Sequence, residues 1–161
     1  MPSKAILLGG TAATAVGLVL AMVPSATAIT QAKSFTLVAP DEERAKIDVG
    51  PRGPSLGDML VFGGPLKMRA KPQTTGRLDG HCVTTSNPSG PDEQRQQCII
   101  TATTNTEGGD EIQLQGVGRV LAEDVELSVT GGSGRYANAR GEATLDFRTK
   151  GRVVIHFRLI P

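Results

Sequence analysis

From Leu56 onward, apolar residues recur at every second position, and clusters of glycine and other turn-forming residues separate the runs. That is the signature of half-buried β-strands joined by short reversals. Ser34 to Ala39 reads as a first strand stopped by Pro40. The charged stretch from Asp41 to Ser55 holds Gly50, Pro51, Gly53 and Pro54. It reads as a loop, with one helical turn at Asp41-Glu42-Glu43-Arg44. Met59 to Phe62 makes a second strand, which Gly63-Gly64-Pro65 ends or bulges. Lys67 to Gly76 is polar, contains Pro72 and reads as loop. Arg77 to Thr85 and Gln96 to Thr104 form the third and fourth strands, around the turn-rich Asn87-Pro88-Ser89-Gly90-Pro91. After a turn at Glu107 to Asp110, Glu111 to Gly118 is the fifth strand, and Val125, Leu127 and Val129 mark a sixth.

Two places let the register be tested. Setting Cys82 opposite Cys98 puts Gly80 opposite Ile100 and Leu78 opposite Ala102, so one face is wholly apolar. A disulfide across such a pair requires the closer, non-hydrogen-bonded position. The last hairpin is the second test. A three-residue loop, Thr149-Lys150-Gly151, pairs Phe147 with Val153, Leu145 with Ile155, Ala143 with Phe157 and Glu142 with Arg158. A two-residue turn would mix apolar and polar faces, so the longer loop is expected, with Gly151 at its left-handed position. Before this hairpin, Leu127 to Val129 runs into Gly131-Gly132-Ser133-Gly134, whose glycines suit a reversal needing unusual backbone angles.

No segment has the period of an amphipathic helix. About eight strands with short turns fit a closed barrel or a sandwich. Closure also removes unpaired sheet edges. The N-terminal stretch stands apart. Lys4 is its only charge before residue 33, an apolar run from Ala5 to Val23 follows, and Pro24-Ser25-Ala26-Thr27-Ala28 supplies small residues at a cleavage pattern. This reads as a signal peptide cut after Ala28, the competing reading being an uncleaved anchor. The expected layout is residues 1–28 as signal peptide, 29–55 as first strand and loop, and 56–161 as the rest of one secreted domain. Without Lys4 the sixteen remaining basic residues equal the sixteen acidic ones, which argues against nucleic-acid binding. Once the signal is cut, no further stretch would span a membrane.

Cys82 and Cys98 are the only cysteines. An even count in an exported chain reads as a disulfide. The alternative is a metal site that includes His81, but no structural-zinc spacing is present, and neither a metal nor a cofactor is expected. Candidate site residues are Asp58, Tyr136 and Arg140. Asp58 opens a strand after glycine, and could equally cap a turn. Tyr136, the sole tyrosine, sits beside the glycine cluster and could equally be a corner residue. Arg140 could equally be a surface arginine paired with a carboxylate.

Several stretches, in order, resemble the allene oxide cyclase and dirigent superfamily. They are Leu56-Gly57-Asp58-Met59-Leu60-Val61-Phe62 with Pro65-Leu66, Gly76-x-x-x-Gly80-x-Cys82, Glu111 to Gly116, and Leu127 to Gly134 with Tyr136, Ala139 and Gly141. The resemblance implies an eight-stranded antiparallel β-barrel, often a homotrimer, with a cavity for an apolar small molecule. It implies two functions: a binding module without chemistry, or non-redox steering of a cyclisation or coupling. Arg140 matches the arginine of the dirigent Ala-Arg-Gly signature. The carboxylate that cyclases carry on the first strand has no counterpart: Leu37, Val38 and Ala39 stand there, and Asp41 to Glu43 follow Pro40.

Overall fold

The computed structural model describes residues 33–40, 43–69, 71–86, 93–104, 109–120 and 122–160. These form β1 (Lys33–Pro40), β2 (Glu43–Ile47), β3 (Met59–Met68), β4 (Lys71–Ser86), β5 (Arg95–Thr103), β6 (Glu111–Arg119), β7 (Asp124–Gly132), β8 (Arg140–Asp146) and β9 (Arg152–Ile160). Among the described residues the helical content is the 3₁₀ turn Gly134–Tyr136 and one further 3₁₀ residue, Glu93. The strands run in the order β1-β9-β8-β7-β6-β5-β4-β3-β2, all antiparallel. The sheet closes where Leu37 and Val38 of β1 meet Met68 and Lys67 of β3. β2 lies farther along the same edge of β3, with Glu43 opposite Gly63 and Ile47 opposite Met59. β1 and β2 therefore act as two halves of one interrupted stave, and the closed barrel has eight staves.

Alternation explains the wall. Leu66, Leu78, Ile100, Ile112 and Leu114 point inward with at most 1% of their surface exposed. Gln113 and Gln115, on either side of Leu114, are exposed. The register expected from the cysteines is the one observed: Leu78 opposite Ala102, Gly80 opposite Ile100, Cys82 opposite Cys98. The two sulfurs are bonded, across a Cα–Cα distance of 4.0 Å. In the last hairpin Leu145 faces Ile155, Ala143 faces Phe157 and Glu142 faces Arg158. Gly151 takes the left-handed conformation at φ 78°. Phe147 falls just past the end of β8, so the ladder stops one residue earlier than expected.

Three stretches differ from the sequence expectation. Glu43–Ile47, expected within a loop and a helical turn, is a strand (Asp41 and Glu42 lie outside the described residues). Its side chains are all exposed, so burial left no apolar alternation to read. β3 runs straight through Gly63-Gly64-Pro65. Among the described residues, pairing with β2 ends at Gly63 and pairing with β1 begins at Lys67, so Pro65 falls where the neighbouring ladder is broken. That is the kind of position a strand proline tolerates. Lys67 to Gly76, expected as loop, is divided between the end of β3 and the start of β4. Residues 1–32, with the expected cleavage site, and the turn at 87–91 lie outside the described residues.

The glycine cluster also behaves differently in detail. Gly131 and Gly132 stay within β7, and Gly134 alone of the three has positive φ, at 57°. Gly132 is required for close approach: a Cβ there would lie 2.3 Å from the Glu111 carbonyl oxygen and 2.6 Å from that of Tyr136.

Candidate functional site: a barrel cavity open at one end

The two ends of the barrel are built differently. At one end β7 turns through Gly134–Tyr136 into β8, beside the start of β1 and the end of β9. Tyr136 is buried there, 8% exposed. Its ring stacks on Phe35 at 6.0 Å between centroids, and Phe35 stacks on Phe157 at 4.7 Å with planes 7° apart. Lys33 Nζ and the Arg135 guanidinium lie 5.9 and 5.4 Å from the Tyr136 ring centroid. Asp110 pins the turn by accepting from the Arg135 backbone N–H at 3.1 Å and pairing with Arg135 Nε at 2.8 Å. Aromatic rings fill this end.

The other end holds a cavity of about 250 Å³. Leu60, Phe62, Val125, Leu127, Leu145 and Val153 line it, and the Cys82–Cys98 disulfide forms part of its wall. Inward glycines shape it. A Cβ on Gly80 would lie 2.8 Å from the tip of Phe62, one on Gly116 2.8 Å from Leu127, and one on Gly118 2.7 Å from Val125. Each glycine gives its space to a larger side chain from the neighbouring strand. Among the described residues that line this cavity, Arg44 and Arg119 are the charged ones, and none is a carboxylate.

A second recess of about 290 Å³ shares Leu60, Gln96 and Val120 with the first. Its inner side is a polar cluster. The amides of Gln94 and Gln96 donate to Thr84 Oγ1 at 3.4 and 3.3 Å. Thr84 and Gln94 are buried polar residues, 2% and 6% exposed. Buried polar groups carry a cost unless they are hydrogen-bonded, and these are. The sequence reading missed this cluster. Its signal was the cysteine register carried two residues further, which sets Thr84 opposite Gln96, as observed.

Asp58 lies beside this recess, half-buried. Its carboxylate accepts from the Ser55 N–H at 2.7 Å, the Val49 N–H at 3.1 Å and the Ser55 hydroxyl at 2.9 Å. These bonds, the one to the Ser55 backbone foremost, hold its carboxyl below the ordinary value of 3.8. This geometry is that of a loop clasp, and it ties the segment before β3 to the mouth. Thr84 and Asp58 are joined through the Thr84 N–H, which donates to the Asp58 carbonyl at 2.8 Å. Tyr136 belongs to the opposite end. Arg140 is exposed at the start of β8 and donates to the Ala139 carbonyl at 2.7 Å. The fold does not gather Asp58, Tyr136 and Arg140 around one space. Among the described residues, no three of the His, Cys, Asp and Glu side chains are grouped to hold a metal ion. Among them also, no helix is long and apolar enough to cross a membrane.

Fold and cavity together define a class: closed antiparallel barrels with an interior cavity reached from one end. The chain belongs to the dirigent-like protein family, whose match spans residues 22–160. A search of the curated proteins finds no match. Among solved structures the chain is similar to a pyocyanin demethylase, at 28% identity over 80% of this chain and 100% of that one, TM-score 0.68. It shares its fold with the pterocarpan synthase dirigent protein GePTS1, at 16% identity over 86% of this chain and 93% of that one, TM-score 0.58. It shares its fold too with the Diels Alderase AbmU from Streptomyces koyangensis, at 16% identity over 85% of this chain and 72% of that one, TM-score 0.60.

Proposed function

We propose that this chain is an exported barrel that binds a compact apolar molecule in the cavity at its open end. The observation that carries the reading is the cavity itself: about 250 Å³, walled by aliphatic side chains and a disulfide, inside a barrel whose other end is filled. An apolar cavity of this kind stays poorly hydrated, and an apolar guest gains from leaving water. Pockets for drug-sized ligands run upward from about 300 Å³, so the guest is small. Thr84, Gln94 and Gln96 would orient its polar end. Asp58 would shape the mouth and Tyr136 would close the far end. Export fits the disulfide and the signal-like N-terminus.

A second reading is chemical. Its structural neighbours include proteins named as a pterocarpan synthase dirigent protein, a Diels Alderase and a pyocyanin demethylase. A cavity that holds one conformer away from water could steer a cyclisation or coupling through positioning alone. Self-assembly, a homotrimer above all, belongs to both readings. The outer face of β3 to β6 carries Val61, Ile99 and Val117, each 38 to 47% exposed and close together in the sheet register.

The test is titration of the full chain with naphthalene-sized probes, neutral and charged, followed by methyl NMR. At least one probe should shift the methyls of Leu127, Leu145 and Val153, and Leu60→Trp should weaken it about tenfold or more by occupying the shared space. If no probe shifts those methyls, the reading fails. Turnover of a probe without loss of binding specificity would favour the chemical reading.

A further inference from the structure

The recess beside the cavity is where the buried polar side chains of the hollow end meet. It shares Leu60, Gln96 and Val120 with the cavity, so one guest can reach into both. Thr84 and Gln94 are buried in it, and Gln96 stands half-buried across the ladder from Thr84. Backbone bonds fix their positions. The Thr84 N–H donates to the Asp58 carbonyl at 2.8 Å, the Gly57 N–H to the Thr84 carbonyl at 3.0 Å, and the Val120 N–H to the Gln94 carbonyl at 3.1 Å. Both side-chain amides donate to the same Thr84 Oγ1. A carboxamide has two N–H donors and a carbonyl oxygen that accepts twice, so one bond each uses a small part of what the two glutamines can do. Among the described residues no side-chain nitrogen or oxygen is sealed from solvent without a partner. What the amides do not give to Thr84 is therefore within reach from the recess that both of them line.

We infer that the molecule held here is a compact apolar ring system with a neutral amide at one end, a lactam or carboxamide, its rings in the cavity and its amide against Gln94 and Gln96. This rests on the binding reading above and names its ligand class. A glutamine amide pairs through its donor and its acceptor together with a partner that sets the two side by side. A lactam has its N–H and C=O on neighbouring atoms. A hydroxyl puts both functions on one oxygen and answers the two glutamines less fully. A ketone or lactone accepts without donating, and leaves an amide carbonyl unpaired once water is displaced, which is costly. Ions are not favoured. The charged residues lining the two spaces are of both signs: Arg44 and Arg119 on one, Lys46, Asp48 and Asp58 on the other. Glu43, Glu123 and Asp124 adjoin lining residues in the sequence. Asp58 already spends its oxygens on Ser55 and Val49. The buried polar groups of the recess, Thr84 and Gln94, are uncharged, and an ion drawn in beside them would lose more hydration than they return.

The experiment titrates the full-length chain with four bicyclic probes at about pH 7, where a phenol is neutral. They are isocarbostyril, a lactam; isocoumarin, its lactone counterpart with oxygen in place of the N–H; 2-naphthol; and 2-naphthoate. The methyl signals of Leu127, Leu145 and Val153 report entry into the cavity, and the side-chain amide signals of Gln94 and Gln96 report the polar end. Isocarbostyril should bind roughly tenfold tighter than isocoumarin, with 2-naphthol between them and 2-naphthoate no tighter than 2-naphthol. Both side-chain amide signals should move with isocarbostyril and stay nearly still with isocoumarin. In Gln96→Leu the lactam-to-lactone affinity ratio should fall by about threefold or more. The amide signals of the unaltered chain stand as an independent readout if that variant is poorly folded. A ratio near one, amide signals that do not move, tighter binding of 2-naphthol or 2-naphthoate than of the lactam, or a ratio unchanged in folded Gln96→Leu would overturn the inference, while shifted cavity methyls would leave the cavity reading intact. No binding by any of the four would remove the cavity reading, and this inference with it.

Discussion

The two ends of the barrel are made from the same alternating strands, yet one is solid and the other hollow. At the filled end Phe157, Phe35 and Tyr136 stack in series, and Leu66 and Leu159 complete the packing. At the hollow end glycine, threonine and glutamine stand among the large apolar residues at inward positions: Gly80, Thr84, Gln96 and Gly118. The difference is one of side-chain volume at equivalent positions, not of backbone. A fold specified by alternation is indifferent to it, which is how one barrel can be packed at one end and hollow at the other.

The comparison can be broken most forcefully at the aromatic stack. Phe157→Ala should cost about 3 to 5 kcal/mol in urea unfolding, since it empties a site only 2% exposed. Phe147→Ala, at the hollow end and 37% exposed, should cost less than about 1 kcal/mol. Similar costs for the two would mean that the ends are not distinct.

The disulfide comes next. It joins two adjacent strands in the cavity wall, its cysteines at a sequence separation of 16. Replacing both cysteines by alanine should lower stability by about 3 kcal/mol through the freed loop in the unfolded chain. A guanidinium titration of the two forms measures it, and no loss would show that the wall is held by its ladder alone.

A smaller effect sharpens the contrast. Leu60→Trp, which adds volume where space exists, should change stability by less than about 1.5 kcal/mol while weakening probe binding about tenfold or more. The same enlargement at Leu66, fully buried at the other end, should destabilise clearly.

The smallest effect concerns the clasp at the mouth. Asp58 has its carboxyl held below 3.8, so its folded value lies under its unfolded one. The stability it contributes is fully present above about pH 4 and is lost as pH falls through the folded value. Urea midpoints of wild type should therefore fall more steeply with acid than those of Asp58→Asn. Parallel acid limbs would show that the Asp58 clasp adds nothing to the mouth. Asp146, held near 2 chiefly by the Arg148 side chain, provides an exposed internal reference for a carboxyl NMR titration.

Much of this was legible in the sequence because sheet register is tied to chemistry at a few residues. Cys82 and Cys98 fixed one ladder, and Gly151 with the alternation of Leu145, Ile155 and Phe157 fixed another. Where no face is buried, nothing marks the strand: β2 is exposed on every residue and its sequence reads as loop with a helical turn. Where glycine and proline sit beside a broken ladder, punctuation reads as a bulge or an ending, as at Pro65. The site was less legible than the fold. Asp58, Tyr136 and Arg140 stood out as rare or motif-borne residues, but they lie at the mouth, at the opposite end and on the surface. The cavity is written in ordinary residues, and in the glycines that make room for their neighbours. Such space becomes visible only when the strands are set side by side.

The measurement that bears most directly on the hollow end is an intermolecular NOE map of bound 2-naphthol on the methyl-labelled chain. The account predicts contacts from the naphthalene protons to the methyls of Leu60, Leu127, Leu145 and Val153, and none to Leu66 or Leu159. Contacts to Leu66 and Leu159, or to outer-face methyls such as Ile99 alone, would contradict it.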